Sequence, residues 1–327
     1  MIISKTPMRI SLGGGGTDLP FYASKYGGFV ISASINKYCN IMVNSRDYDN
    51  KIKLNYSEME IVENVNELKH DIYRESLKLT GIKEGIEITS ISDVPIGTGL
   101  GGSGAFTVGL LNALYTKANK KLNSYQLAEL ACKIEIDILK QPSGKQDQYI
   151  SSFGGIKCLE IDCNGRVEVS SPNISRETLL KLEKNTFMFY TGMSRQSAEV
   201  LGEQDSASKN KESNIIESLH KIKEIGKEIQ CSLENGNTSN FGRLMHKHWL
   251  VKRQMSTRVS NSFINKCYDV ALDNGALGGK IMGAGNGGFF LFYCDTNPDA
   301  LCQALKTLGL IEVDYKFDFS GSRILVK

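Results

Sequence analysis

The chain has 327 residues and a formal net charge of +3, from 39 Lys and Arg against 36 Asp and Glu. That length can bury a large core and fits two domains better than one, while the near-balanced charge gives no footprint for nucleic acid. No apolar run reaches the roughly 18 residues that would cross a bilayer, and the eight cysteines stand singly, so reduced thiols and a cytoplasmic address are expected.

The N-terminus, Met1 to Pro7, lacks the charged leader, apolar core and cleavage site of a signal peptide and reads as the first strand, 2–12. A glycine cluster follows it, Gly13-Gly14-Gly15-Gly16 before Thr17-Asp18, where Asp18 suits a helix N-cap. Further strands are expected at 28–45, 51–56 and 86–94, rich in Ile, Val and Tyr and bounded by Gly, Asn or Asp.

A second glycine cluster comes next, Pro95-Ile96-Gly97-Thr98-Gly99-Leu100-Gly101-Gly102-Ser103-Gly104-Ala105, opening an apolar helix at 103–118. A backbone this poor in side chains lets several N–H groups converge on one anion, and the helix N-terminus adds its positive end. Gly97, Gly99 and Gly102 match G-x-G-x-x-G, but a Pro interrupts the join to the strand and no acidic strand end follows at about 20 residues. No G-K-[ST] triplet occurs, so the loop is not a P-loop either.

Residues 124–140 read as one helix, with Ser124 as N-cap and Leu127, Leu130, Ile134 and Ile138 at helical spacing. Glu135 interrupts that apolar stripe. A polar stretch at 162–175 reads as a hairpin and a connection, dividing the chain into domains 1–172 and 173–327. Beyond it come a strand at 187–190, amphipathic helices between about 194 and 274, and a strand, glycine turn and strand over 280–291. Within that turn lie Gly283, Gly285 and Gly287.

Three glycine clusters, at the start, middle and end, resemble the three motifs of the GHMP kinases, in the same order and over essentially the whole chain. Within that family the sequence is most similar to the D-glycero-D-manno-heptose 7-phosphate kinases. Gly14 to Leu19, Gly144-Lys145-Gln146-Asp147-Gln148-Tyr149, Tyr190-Thr191-Gly192 with Arg195, His248-Trp249 and Lys252-Arg253 carry this closer likeness. One departure stands out: glycines occupy the place where the first motif commonly has Glu-His.

The resemblance implies an α+β fold of two domains, the first like ribosomal protein S5 domain 2 and the second ferredoxin-like. It implies transfer of the γ-phosphate of ATP, with Mg²⁺, to the anomeric C1 hydroxyl of a heptose 7-phosphate. The nucleotide phosphates would lie against Pro95, Gly97, Gly99, Leu100, Gly101, Gly102, Ser103, Gly104 and Ala105, and Ser103 and Glu135 would hold the metal. Asp147 matches the catalytic carboxylate and Arg9 its cationic partner. Thr17, Asp18, Gly283 and Gly285 would contact the acceptor. Among the cations Lys37, Arg195, Lys252, Arg253 and Arg258, the pair Arg195 and Arg253 would hold its distal phosphate. Three other readings stay open at this point: a neutral-sugar 1-kinase, a non-catalytic sugar and nucleotide sensor, and a nicotinamide-dependent oxidoreductase.

Overall fold

The computed structural model describes residues 1–95, 97–193, 209–256 and 259–327. Strands β1 (Ile2–Gly13) and β2 (Gly28–Ser45) pair antiparallel over nearly their whole length, from Ile2↔Val43 to Gly13↔Ile31. Then come β3 (Ile52–Asn55), β4 (Met59–Val62), β5 (Ile86–Ser92), β6 (Ile156–Ile161) and β7 (Val167–Ser170). The long β2 serves two partners, β6 along Gly28–Ala33 and β5 along Cys39–Ser45. β6 and β7 form the hairpin expected around 162.

The second sheet holds β8 (Thr186–Tyr190), β9 (Gly278–Ile281), β10 (Phe289–Tyr293) and β11 (Ile311–Glu312), in the order β11-β8-β10-β9. Fourth, first, third, second with antiparallel pairing is the ferredoxin-like arrangement, as the resemblance implies. The last strand, β12 (Arg323–Val326), returns to the first sheet and pairs with β1.

Helices α1 (Pro20–Tyr26), α2 (Asp71–Thr80), α3 (Gly102–Lys117), α4 (Ser124–Cys132) and α5 (Gln146–Phe153) belong with the first sheet. α3 packs on β1 and β2, and α2, α4 and α5 pack around it. It is buried on every side between Gly104 and Leu111, so it is the central helix of this half. α6 (Arg176–Asn185), α7 (Lys209–Glu234), α8 (Thr238–Met255), α9 (Ser262–Asp273) and α10 (Pro298–Thr307) follow. α7 lies on β1 and β2, whereas α8 reaches β9, β10 and β1 and so touches both sheets. Cys39, Cys132, Cys158, Cys267 and Cys294 are buried, and all eight cysteines are free thiols.

Two local expectations are corrected. The cap of α4 is Asn123: its side chain accepts from the Gln126 N–H at 2.8 Å while Gln126 accepts from the Asn123 N–H at 3.0 Å, a reciprocal capping box. Residues 124–140 also fail to make one α-helix. After Cys132 the chain widens into a π-helical turn, Lys133–Ile138, marked by the Leu139 N–H bonding the Ile134 carbonyl at 2.9 Å. The extra residue shifts the helical phase, leaving Ile138 41% exposed and Glu135 only 2% exposed.

Candidate active site

A cavity of about 670 Å³ opens between two walls. One is made by β1, the loop before α3, the end of the π-turn helix and the start of α5; the other by α8 and the β9–β10 connection. At its centre stands an ion pair. Arg9 Nε and Nη2 reach Asp147 Oδ1 at 2.7 and 2.6 Å, and Arg9 Nη1 donates to the Gly99 carbonyl at 2.5 Å. Both Arg9 contacts to Asp147 fall on Oδ1. Asp147 lies in the first turn of α5, where the N-terminal end of the helix favours a negative charge.

The glycine loop supplies the adjoining wall through Gly97, Gly99, Gly101, Gly102 and Ser103. Gly101 is the N-cap of α3 with φ +72°, a left-handed conformation beside Arg9 and Asp147 that a side chain would strain. Leu100 and Ala105 face the core, Gly104 packs on Asp147, and Pro95 is exposed. From the first turn of α3, Ser103 Oγ donates to Glu135 Oε2 at 3.0 Å. Burial pushes Glu135 up to about 7, against the lowering effect of the Thr107 and Ser103 hydroxyls beside it.

Asp18 lies further along the same cavity. Its oxygens accept from the Gly16 N–H at 3.1 Å and the Gln146 N–H at 3.0 Å, so it caps the start of α5 from another part of the chain. The N-cap expectation for its own helix is not met: Leu19 precedes α1 there and makes no side-chain cap. Burial raises the Asp18 carboxyl, the Gln146 N–H opposes that, and the charge of Asp147 adds to it.

Other expected site residues lie elsewhere. Thr17 is fully buried, and its hydroxyl is used by the backbone, donating toward the Gly14 and Phe29 carbonyls at 2.8 Å and accepting from the Phe29 N–H at 3.0 Å. It straps the glycine turn to β2 and does not line the cavity. Arg253 turns to Asn265, donating at 3.1 Å, and is likewise off the wall. Gly283 lines the cavity, against Gly99 so closely that neither has room for a side chain, whereas Gly285 packs on Val259. Arg195 and Arg258 lie outside the described residues.

The cavity also holds several buried polar atoms that the protein itself leaves unpaired. Ser11 Oγ, Ser143 Oγ, Gln146 Oε1, Glu135 Oε1 and both ring nitrogens of His248 are buried without a hydrogen-bond partner among the described residues. Lys280 is 2% exposed, and its Nζ donates to the Leu12 carbonyl at 3.2 Å. The signal for it is visible in retrospect: one charged residue inside the four-residue buried strand Gly278–Ile281.

Comparison with known proteins places this geometry in context. The model described as GHMP kinases N terminal domain matches residues 61–155, and that described as GHMP kinases C terminal matches 229–309. The D-glycero-alpha-D-manno-heptose 7-phosphate kinase of Campylobacter jejuni is 33% identical over 100% of this chain and 98% of its own. The galactokinase of Pyrococcus furiosus is 24% identical over 100% of this chain and 97% of its own. Among solved structures, a D-glycero-D-manno-heptose 1-phosphate kinase from Bacteroides thetaiotaomicron superposes with a TM-score of 0.82 at 26% identity, covering 100% of this chain and 99% of that one. A putative sugar kinase from Campylobacter jejuni gives 0.78 at 32% identity, covering 99% and 97%.

Proposed function

The chain belongs to the GHMP kinases and is an ATP-dependent sugar kinase; we propose that it phosphorylates the anomeric C1 hydroxyl of D-glycero-D-manno-heptose 7-phosphate to give the 1,7-bisphosphate. The acceptor follows the full-length identity to the Campylobacter jejuni heptose 7-phosphate kinase. The observation that carries the chemistry is the Arg9–Asp147 pair, in one cavity with the glycine loop and Asp18.

Phosphoryl transfer needs alignment and charge neutralisation more than covalent help. The N–H groups of the loop and the first turn of α3 hold the nucleotide phosphates. Both Arg9 bonds fall on Asp147 Oδ1, which leaves Oδ2 to take the proton of the acceptor hydroxyl. As the acceptor oxygen bonds to phosphorus, the bond to the bridging oxygen breaks and ADP leaves, with the proton on Asp147. Arg9 keeps that carboxylate oriented, and Asp18, fixed by two backbone N–H groups, holds a sugar hydroxyl. Ser103 and Glu135 fit a hard divalent cation, because Glu135 Oε1 is a buried carboxylate oxygen without a hydrogen-bond partner among the described residues. Mg²⁺ bound there with ATP would neutralise phosphate charge.

The test is a substrate panel read by ADP release, with phosphorus NMR of the product. Turnover of heptose 7-phosphate with a new C1 phosphate is expected; turnover confined to galactose, fucose or other neutral sugars would overturn the acceptor. In the same assay Asp147→Asn should lower kcat by about 10²–10⁴-fold, with the Kd for ATP nearly unchanged.

A further inference from the structure

Helix α8 presents His248 and Lys252, one turn apart, to the cavity, and Lys280 reaches it from β9. His248 and Lys280 are 1% and 2% exposed, and Lys252 is partly buried. Their protein partners are not anionic. Lys252 Nζ donates to the carbonyls of Gly283 and Ile281, Lys280 Nζ to that of Leu12, and His248 has no partner on either ring nitrogen among the described residues. Neither ammonium has a carboxylate within ion-pair distance among the described residues, whereas Arg9 has Asp147. Burying such charge without a counter-ion is costly, so the arrangement favours a ligand that brings two negative charges and several acceptor oxygens.

The nucleotide phosphates already have the glycine loop, the first turn of α3 and Arg9 on the opposite wall. Lys280 is tied instead to Leu12, just before the glycine turn that fixes Asp18. Resting on the acceptor reading above, we infer that Lys252, Lys280 and His248 seat the acceptor's own phosphate and so select a phosphorylated sugar over its neutral counterpart. The specificity then lies in His248, Lys252 and Lys280, and not in their neighbour Arg253, which donates to Asn265.

Kinetics of Lys252→Met, Lys280→Met and the double variant, with heptose 7-phosphate and with the unphosphorylated heptose, test the seat. Each single variant should raise KM for heptose 7-phosphate at least about tenfold, with KM for ATP within about twofold, and lower the preference for the phosphorylated sugar at least about tenfold. An unchanged preference overturns the inference and leaves the acceptor reading standing. So does a rise in KM for ATP alone, which would assign the lysines to the transferred phosphate. A readout without turnover separates the two ideas: with the nucleotide site saturated by ADP, inorganic phosphate should raise the melting temperature of the wild type further and not that of the double variant. If the wild type rejects heptose 7-phosphate, the acceptor reading fails, and the phosphate titration alone decides the seat. Protection lost in the double variant supports it; protection absent from the wild type, or retained in the variant, overturns it.

Discussion

The buried Lys252 ammonium costs stability. Burial, with the charge of Arg9 added, lowers it to about 8 from 10.5. Between those values the unfolded chain keeps a proton that the folded protein has lost, so stability rises with pH. The gain is complete above 10.5 and disappears as the pH falls through 8, where the folded protein must carry the buried charge. Lys252→Met removes the charge. At neutral pH the variant should therefore exceed the wild type by roughly 2–3 kcal/mol in urea unfolding, the difference shrinking toward pH 10.5. An advantage that does not change with pH would mean that packing, and not charge, sets it. Lys280 is likewise lowered, by burial first and then by Lys252 and Arg9, so the same trend should appear in Lys280→Met.

At the level of elements, the glycine motifs and long strands were legible because each has a local cause. β2 is rich in Ile and Val and starts at a glycine, and the loop before α3 is spelled by residue type. The π-turn at Lys133–Ile138 was not legible: a 3.6-residue period reads straight through it, and the added residue shows in the Leu139 N–H bond to Ile134 and in the burial of Glu135 against exposed Ile138. Helix α2 was hidden for another reason, since His70 precedes it without a side-chain cap. Contacts between distant segments were equally invisible, above all Asp18 at the start of α5. That contact gives Gly144 its place: a Cβ there would stand 2.0 Å from Asp18 Oδ2. Gly144→Ala must displace the Asp18 carboxylate from the Gln146 N–H. We expect KM for the acceptor to rise at least about tenfold and stability to fall by about 1–3 kcal/mol, with ATP binding little changed. Unchanged acceptor kinetics would remove Asp18 from the sugar site.

The whole molecule is closed by its last segment. After β11 the chain leaves the second sheet, and Asp318, 7% exposed, fixes its return to the first. Asp318 Oδ1 accepts from the N–H groups of Ser320 and Gly321 at 2.8 and 3.1 Å, and Oδ2 from Tyr38 and Arg323 at 2.8 and 3.2 Å. Its own N–H bonds the Ser34 carbonyl at 3.0 Å, inside β2. Loss of the carboxylate therefore strands partners on β2 and on the approach to β12 together. Asp318→Ala should cost about 2–4 kcal/mol, the penalty for several unpaired groups of which one is charged. Kinetics should change little, because Asp318 does not line the cavity. The single tryptophan makes the coupling observable, since Trp249 is buried in the core of the second sheet with Tyr268, Phe290 and Phe292. With α8 touching both sheets and β12 returning to the first, the fluorescence of Trp249 and the far-ultraviolet circular dichroism should trace one unfolding transition. Asp318→Ala should move both signals to lower urea by the same amount. A dichroism shift that left the Trp249 transition where it was would show that the second sheet unfolds on its own, and the cavity between the sheets would then depend on its ligands for closure.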